Sequence, residues 1–551
     1  MKKYPWFKSY DAHVPRTLKP YPSVTVLDWL SDYLKLKPEH PIAIFQGREL
    51  SYREVEEHSN ALAKALIENG VKKGDRVATL FLNCPQVFMA NFAIWKAGGI
   101  VVPLNPLYTP FELEHAIQIV DAEVAIVTSM WYPVVKGLQP KTKLRNLIVT
   151  DLDTYAVKPM KKEGNSVKLE QQDSWWSDLI ELYQGAQRPP AKIAKEDTAV
   201  ILFSGGTTGA PKGVMSSHQA IIMTALQYGA WYRKTMVEWT DKMLANLPMF
   251  HAFGFFTAFG TYFNYHVPQV LIPNPRDLKG LMELIRNHEI AMISTTPTLM
   301  ISILHSPDLK PGDLKSVRMV GSGAAPLMSG TKLQTEKIIA SDGVVIEGYG
   351  MTESSIAGTA IPLHGQWKEG SVGCPIPDVI IRIVDMETGT KELNTGETGE
   401  IVIDAPNLMQ GYWKNPTETA EAMRDGRLYT GDIGYVDEDG YVFITSRKKD
   451  LIKCGGFQVW PRDVEDVLMM HPAVLEVCVG GIPDPRQGEA VKAWIVLKEG
   501  TTATEEELQA FAKQQLTGYK VPRFYEFRKV LPKTMVGKVM RRILQDEEKG
   551  K

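Results

Sequence analysis

Ten consecutive residues, Ser204-Gly205-Gly206-Thr207-Thr208-Gly209-Ala210-Pro211-Lys212-Gly213, follow the apolar run 200–203. Glycines without a Cβ let successive backbone N–H groups turn toward one anion. Ser204, Thr207 and Thr208 add hydroxyl donors, and Lys212 adds a fixed positive charge. Together they suit a triphosphate. A Walker A loop needs Gly-Lys-Ser/Thr opening a helix, whereas here Ala210-Pro211 separates Gly209 from Lys212. Kinase or motor-type chemistry is therefore disfavoured. Farther on, Glu347-Gly348-Tyr349-Gly350-Met351-Thr352-Glu353 pairs a flat aromatic face for a purine with a carboxylate at Glu353. Mg²⁺ takes oxygen ligands alongside substrate phosphates, so the two segments are complementary.

Such residues need sheets to hold them. The first 200 residues alternate helix and strand signals. Ser51-Tyr52-Arg53-Glu54 reads as a capping box before a helix that stops at Gly70. Strands are expected over 76–82 and 100–102, with a helix over 87–96 between them. This alternation predicts an α/β fold with substantial parallel sheet. Beyond about residue 370 the pattern shifts to short strands over 379–384, 400–404 and 434–445, with a hairpin turn at Asp439-Gly440. A small antiparallel β subdomain is expected over about 370–445. The charged run 446–456, ending in Gly455-Gly456, reads as a junction. Past it come a helix over 461–470, strands over 474–479 and 490–497, and a second capping box at Thr504–Glu507. The expected fold class is multidomain α/β: a large N-terminal domain over 1–449 and a small α+β C-terminal domain over 450–551.

Composition agrees with several domains, since 551 residues at 44% hydrophobic content exceed one ordinary core. Lys and Arg number 62 against 64 Asp and Glu, which gives no global attraction to nucleic acid or anionic lipid. Cys84, Cys374, Cys454 and Cys478 show no CxxC spacing, so neither a disulfide framework nor a zinc site is expected. There is no signal-peptide pattern at the start, no membrane-spanning run, and no prenylation or peroxisomal ending. A cytoplasmic location is expected.

The loop over 204–213 resembles the signature of the adenylate-forming superfamily, which includes acyl-CoA synthetases, luciferases and peptide-synthetase adenylation domains. The usual pattern is Thr-Ser-Gly-Thr-Thr-Gly-x-Pro-Lys-Gly; this sequence departs at Ser204 and Gly205, and the second departure, giving Gly-Gly-Thr-Thr-Gly, is similar to many long-chain fatty acyl-CoA synthetases. Four more motifs follow in the family's order. Glu347–Glu353 resembles the adenine and metal motif, which implies Mg²⁺ at Thr207 and Glu353 and α-phosphate contact from Thr352. Gly321, Gly323 and Ala324 supply small residues for close approach of adenine and acyl chain. Tyr429-Thr430-Gly431-Asp432 resembles the ribose motif, and Arg447 matches the arginine near ribose and phosphate. Lys449 matches the interdomain hinge, and Lys538, after Gly537, matches the catalytic lysine. A cation there would stabilise charge developing on the α-phosphate. Taken alone, Arg447-Lys448-Lys449 is a solvated charge cluster and the 533–542 segment a basic tail; the motif order argues otherwise.

The resemblance implies two half-reactions, adenylation by ATP and transfer to coenzyme A, with the C-terminal domain swinging between them. Lys453, Gly455, Gly456 and Phe457 would then line a CoA tunnel. Amino-acid-activating relatives carry an aspartate where this chain has His251, and a buried ammonium without a carboxylate is costly. His251, Phe255, Gly321 and Gly323 are the expected acyl-pocket residues, with Phe255 as a gate. A medium- to long-chain fatty acid is the expected substrate. The rivals are an aryl- or hydroxycinnamoyl-CoA ligase, a luciferase-like enzyme, and a catalytically decayed nucleotide-binding scaffold. No nucleic acid partner is expected; the sequence leaves peripheral membrane association and a homodimer open.

Overall fold

The computed structural model describes residues 4–158, 167–190, 192–204, 211–454, 457–534 and 537–549. Its β-branched apolar runs become the strands of two large mixed sheets. In one, Met243–Ala245, Gln269–Leu271, Met292–Thr295, Met319–Ser322 and Val344–Tyr349 run parallel beside Pro41–Phe45. Antiparallel strands close both edges. In the other, Arg76–Leu80, Ile100–Pro103, Val124–Thr128, Asn146–Thr150 and Thr198–Ser204 run parallel, with Lys212–Ser217 antiparallel at the margin. Helices cover these sheets, as parallel strands buried on both faces require.

The strands between Ile380 and Arg447, apart from Gly411–Tyr412, form a separate, wholly antiparallel sheet. Its Asp439-Gly440 turn is present: the Asp437 carboxylate accepts from the Asp439 and Tyr441 N–H groups. The smaller C-terminal domain has its own sheet around Val474–Asp484 and Gly488–Leu497. Its core is built from Val464, Leu468, Val491, Ile495 and Leu508. Mixed α/β architecture is thus observed. The Thr504 capping box closes with both bonds, to and from Glu507. At Ser51 only half forms: Ser51 accepts from the Glu54 N–H, while the Glu54 carboxylate pairs with Arg48.

Helix Gln86–Lys96 is buried along all of its 11 residues. A helix apolar on every side belongs in an interior, yet it ends on a lysine. Lys96 Nζ donates to Glu56 Oε2 at 2.7 Å and Ser59 Oγ at 2.6 Å. Arg188 grips the same carboxylate at 3.0 and 2.8 Å. Burial pushes the Lys96 pKa down to about 7 against the pull of Glu56. Removing one member of a buried ion pair strands its partner, so Lys96→Ala is expected to lower unfolding free energy by about 3 kcal/mol. Lys96→Met, which fills the space while Arg188 still neutralises Glu56, should cost less. Denaturant titration of both variants tests the order.

Candidate functional site

The phosphate-loop candidates begin at the end of a strand and return as another strand. Ser204 is the last residue of Thr198–Ser204 and pairs in register with Lys212, the first of Lys212–Ser217. The strands that flank the loop are thus an antiparallel pair, and Lys212 opens a strand, in keeping with the departure from a Walker A pattern. Gly205, Gly206, Thr207, Thr208 and Gly209 lie outside the described residues. Lys212 forms an ion pair with Glu418, and its ammonium stands 5.0 Å from the centroid of the Tyr412 ring.

Opposite, the purine and metal candidates follow from Val344–Tyr349, so they too emerge at a carboxyl end of a parallel sheet, where ligands of open α/β sheets bind. Glu347 is buried, and its carboxylate accepts from the Leu327 N–H at 3.0 Å. Burial raises its pKa to about 7, against the Leu327 N–H bond and the charge of Arg462 in the C-terminal domain. Gly348 pairs with Ala360. Gly350 has no room for a side chain, since a Cβ would meet the Ile356 carbonyl oxygen at 2.0 Å. Thr352 and Glu353 lie in the 3₁₀ turn Thr352–Ser354. Glu353 is buried and its Oε1 accepts from the Tyr412 hydroxyl at 3.0 Å. Among the described residues no three His, Cys, Asp or Glu side chains converge to hold an ion by themselves. A lone carboxylate beside a phosphate loop suits Mg²⁺, which completes its shell with phosphate oxygens and water.

Asp432 and Arg447 come from neighbouring strands of the antiparallel sheet, directly paired in register. Arg447 Nε lies 2.8 Å from Asp432 Oδ1, and the Tyr349 hydroxyl donates to Asp432 Oδ2 at 2.6 Å. Burial first, then Asp432, raises the Tyr349 pKa well above its ordinary value, so the phenol stays a donor. The Asp432 carboxylate has about four acceptor positions. Two are used, which leaves capacity for the two hydroxyls of a ribose.

Lys538 arrives from the C-terminal domain on a tight loop. The Thr534 N–H donates to the Lys538 carbonyl at 2.8 Å, and Gly537 has φ +74°. That loop docks on the start of helix Pro297–Leu304, where the Thr298 hydroxyl donates to the Gly537 carbonyl at 3.3 Å. A Cβ on Gly537 would meet Thr298 Oγ1 at 2.6 Å, so both the turn and the docking demand glycine. The lysine side chain remains accessible in the cleft, yet protein crowds around it. Desolvation, then the Arg447 charge, pushes its pKa down to about 8, against Asp432 and Asp450. Arg541, which opens helix Arg541–Lys549 three residues onward, bonds Glu465 at 2.8 Å and pairs with Asp450, the neighbour of Lys449.

His251 caps helix Ala252–Phe256, its Nδ1 accepting from the Phe253 N–H at 3.3 Å. Burial, then the nearby Lys538 charge, pushes its pKa down to about 4. It is therefore a neutral imidazole with its proton on Nε2. Gly323 packs against the Phe253 ring, and Ala324 beside it takes φ +69°. A small cavity runs along the helix between Met249, Gly254, Thr257, Ala258, Gln269 and Ser294. Gly321 lies next to it, across from Ser294. Phe255, the expected gate, is fully buried against Trp95, Phe256 and Phe259 and is not among the residues lining this cavity. Helical spacing placed it one turn from His251, but the aromatic core claims that face.

The structure thus brings Glu347, Tyr349, Asp432, Arg447, His251 and Lys538 around one cleft, with Glu353 and Lys212 joined through Tyr412. Lys453 and Phe457 lie elsewhere, on the hairpin of Ile452–Cys454 and Phe457–Val459. Phe457 is 56% exposed and stacked on Tyr519, and the Lys453 N–H donates to Glu489 at 2.7 Å. Gly455 and Gly456 lie outside the described residues. Tyr412, Glu418, Thr298 and Arg462 are site residues that motif reading passed over; each acts on a partner far away in sequence, where spacing carries no signal.

A family model described as AMP-binding enzyme matches residues 30–413, and one described as AMP-binding enzyme C-terminal domain matches 463–538. The chain is 38% identical over 560 residues to a long-chain-fatty-acid–CoA ligase of Bacillus subtilis (strain 168), covering 99% of this chain and 98% of that protein. It is 34% identical to the protein of the same name from Escherichia coli O157:H7, covering 100% and 99%. Among solved structures, ATP-bound MatB from Rhodopseudomonas palustris superposes with a TM-score of 0.84 at 29% identity, covering 95% of this chain and 99% of that one.

Proposed function

This chain belongs to the AMP-binding enzyme family, and on that premise we propose how its residues divide the work of an AMP-forming ligase. The enzyme joins a fatty acid to coenzyme A at the expense of ATP, through an acyl-adenylate. One observation carries the assignment of roles: the Lys538 ammonium is placed beside the Asp432–Arg447 pair and His251, at the carboxyl ends of the parallel strands.

In the first half-reaction a carboxylate oxygen of the acid attacks the α-phosphorus, and the bond to pyrophosphate breaks. Asp432 accepts from the ribose hydroxyls, and Glu347 and Tyr349 bound the purine. The 204–213 loop with Lys212 takes the leaving pyrophosphate, and Thr352 meets the α-phosphate. Glu353 with Thr207 would hold Mg²⁺, which would supply charge to offset that of the phosphates. Lys538 stabilises the negative charge growing on the α-phosphate oxygens; positioning and electrostatics do this work without covalent catalysis. Neutral His251 adds no second cation to repel Lys538. The alkyl tail runs along the seam beside Gly321, Gly323 and helix Ala252–Phe256, which offers no charged group to an α-ammonium.

In the second half-reaction the CoA thiol attacks the acyl carbonyl and AMP leaves. We place a hinge at Lys449, with residues 450–551 turning as a body to withdraw Lys538 and present the 453–457 hairpin. Support comes from the separate C-terminal core and from Arg541, which ties the rear of the Lys538 loop to Asp450. No helix among the described residues is long and apolar enough to cross a membrane, and the four cysteines are free and buried. We place the enzyme in the cytoplasm.

The test is pyrophosphate release from Mg²⁺·ATP across acetate, octanoate, palmitate, benzoate and cinnamate, with and without CoA. CoA-dependent turnover highest on an alkyl acid is the expected outcome. Turnover highest on cinnamate or benzoate would move the seam's occupant to an aryl acid.

A further inference from the structure

The Asn407–Trp413 segment is stitched to both halves of the phosphate site. The Met409 N–H donates to the Glu353 carbonyl at 2.8 Å, the Gln410 N–H to Met215 at 2.9 Å, and the Trp413 N–H to Gly213 at 2.7 Å. Gly411 and Tyr412 pair with Met215 and Val214 on the strand that begins at Lys212. The Tyr412 N–H donates to Thr419 Oγ1 at 2.9 Å. The backbone at Tyr412 is therefore fixed from both sides.

Its side chain is 8% exposed and meets both charged groups at once. The hydroxyl donates to Glu353 Oε1 at 3.0 Å, and the ring face lies under the Lys212 ammonium at 5.0 Å. The negative face of an aromatic ring attracts a cation, while a phenol donates to a carboxylate. A tyrosine is the side chain that can do both from one position.

We propose that Tyr412 is a positioning residue that sets Glu353 and Lys212 relative to each other, so that the metal carboxylate and the phosphate cation are pre-organised as a unit. With ATP absent, Glu418 supplies the counter-charge to Lys212; with ATP bound, Lys212 exchanges that carboxylate for phosphate while remaining over the ring. The proposal rests on Lys212 and Glu353 serving phosphate and Mg²⁺.

The test is calorimetric ATP binding to the full-length enzyme over a range of Mg²⁺ concentrations and in EDTA. Tyr412→Phe keeps the ring and loses the hydroxyl. It should raise the Mg²⁺ concentration that half-saturates the gain in ATP affinity by roughly tenfold, the scale of a hydrogen bond to a charged group. Its affinity in EDTA should stay unchanged. Tyr412→Leu loses both contacts and should also weaken ATP binding in EDTA by roughly fivefold, the scale of a partly desolvated cation–π contact. Wild-type Mg²⁺ dependence in Tyr412→Phe overturns the proposal, and that variant decides alone should Tyr412→Leu not fold. Glu353→Gln separates the causes. If it shifts the Mg²⁺ dependence and Tyr412→Phe does not, only the role of Tyr412 falls. If Glu353→Gln also leaves it unmoved, the reading of Glu353 falls with it.

Discussion

Lys538→Ala should slow ATP–pyrophosphate exchange by about a thousandfold, the upper scale for removing one pre-aimed charge from a transition state, while acyl transfer from supplied acyl-adenylate to CoA stays near wild type. The split follows from geometry. Lys538 enters the cleft on a loop held by Gly537 and Thr298, beside Asp432 and Arg447, where the proposed reaction puts the α-phosphate. Nothing in thiol attack on the acyl carbonyl requires charge at that phosphate. Equal loss in both steps would show that Lys538 serves both in one arrangement, and the hinge at Lys449 would be wrong. The pH profile gives an independent reading. The working form is the ammonium, present below its pKa, which desolvation and Arg447 lower to about 8. Adenylation kcat/KM for the free enzyme should therefore hold below that value and fall as pH rises through it. Lys538→Arg, with a guanidinium that stays charged, should lower the rate but remove that alkaline limb.

Asp432→Ala should raise KM for ATP by at least about a hundredfold, since it would delete the proposed ribose acceptor and strand two half-buried donors. Arg447 loses its 2.8 Å partner, and the Tyr349 hydroxyl loses its 2.6 Å acceptor. Leaving these half-buried donors unpaired costs about 1–3 kcal/mol, and the freed arginine would also press on Lys538. Asp432→Asn keeps the shape and one acceptor oxygen but loses the charge, and should fall between Ala and wild type. Initial-rate kinetics in ATP, with thermal melting of both variants, separates lost binding from lost folding. A wild-type KM in Asp432→Ala would remove Asp432 from the ribose site.

Features set within a few residues could be read directly. The Thr504–Glu507 cap, the Asp439-Gly440 turn and the parallel strands all form where local dihedral preference and apolar periodicity put them. The Ala210-Pro211 spacing likewise set the loop apart from a Walker A motif, and Lys212 opens a strand. The Ser51 box shows where local rules end, because Glu54 is drawn to Arg48 by its fold neighbours. Phe255 shows it again: helix periodicity gives its distance from His251 but not which face the aromatic core will take.

By itself the amino-acid sequence determined the order and chemical type of the nucleotide residues, and with them the adenylating reaction. Those are properties of short segments whose backbone hydrogen bonds are satisfied nearby. Only the tertiary structure decided which groups share one cleft: Lys538 against Asp432 and His251, Arg462 beside Glu347, and Tyr412 between Glu353 and Lys212. It also decided their protonation, lowering Lys538 and His251 and raising Glu347. The reason is that desolvation and Coulomb interactions act through space and depend on what is packed alongside, whereas sequence spacing reports only what is linked along the chain.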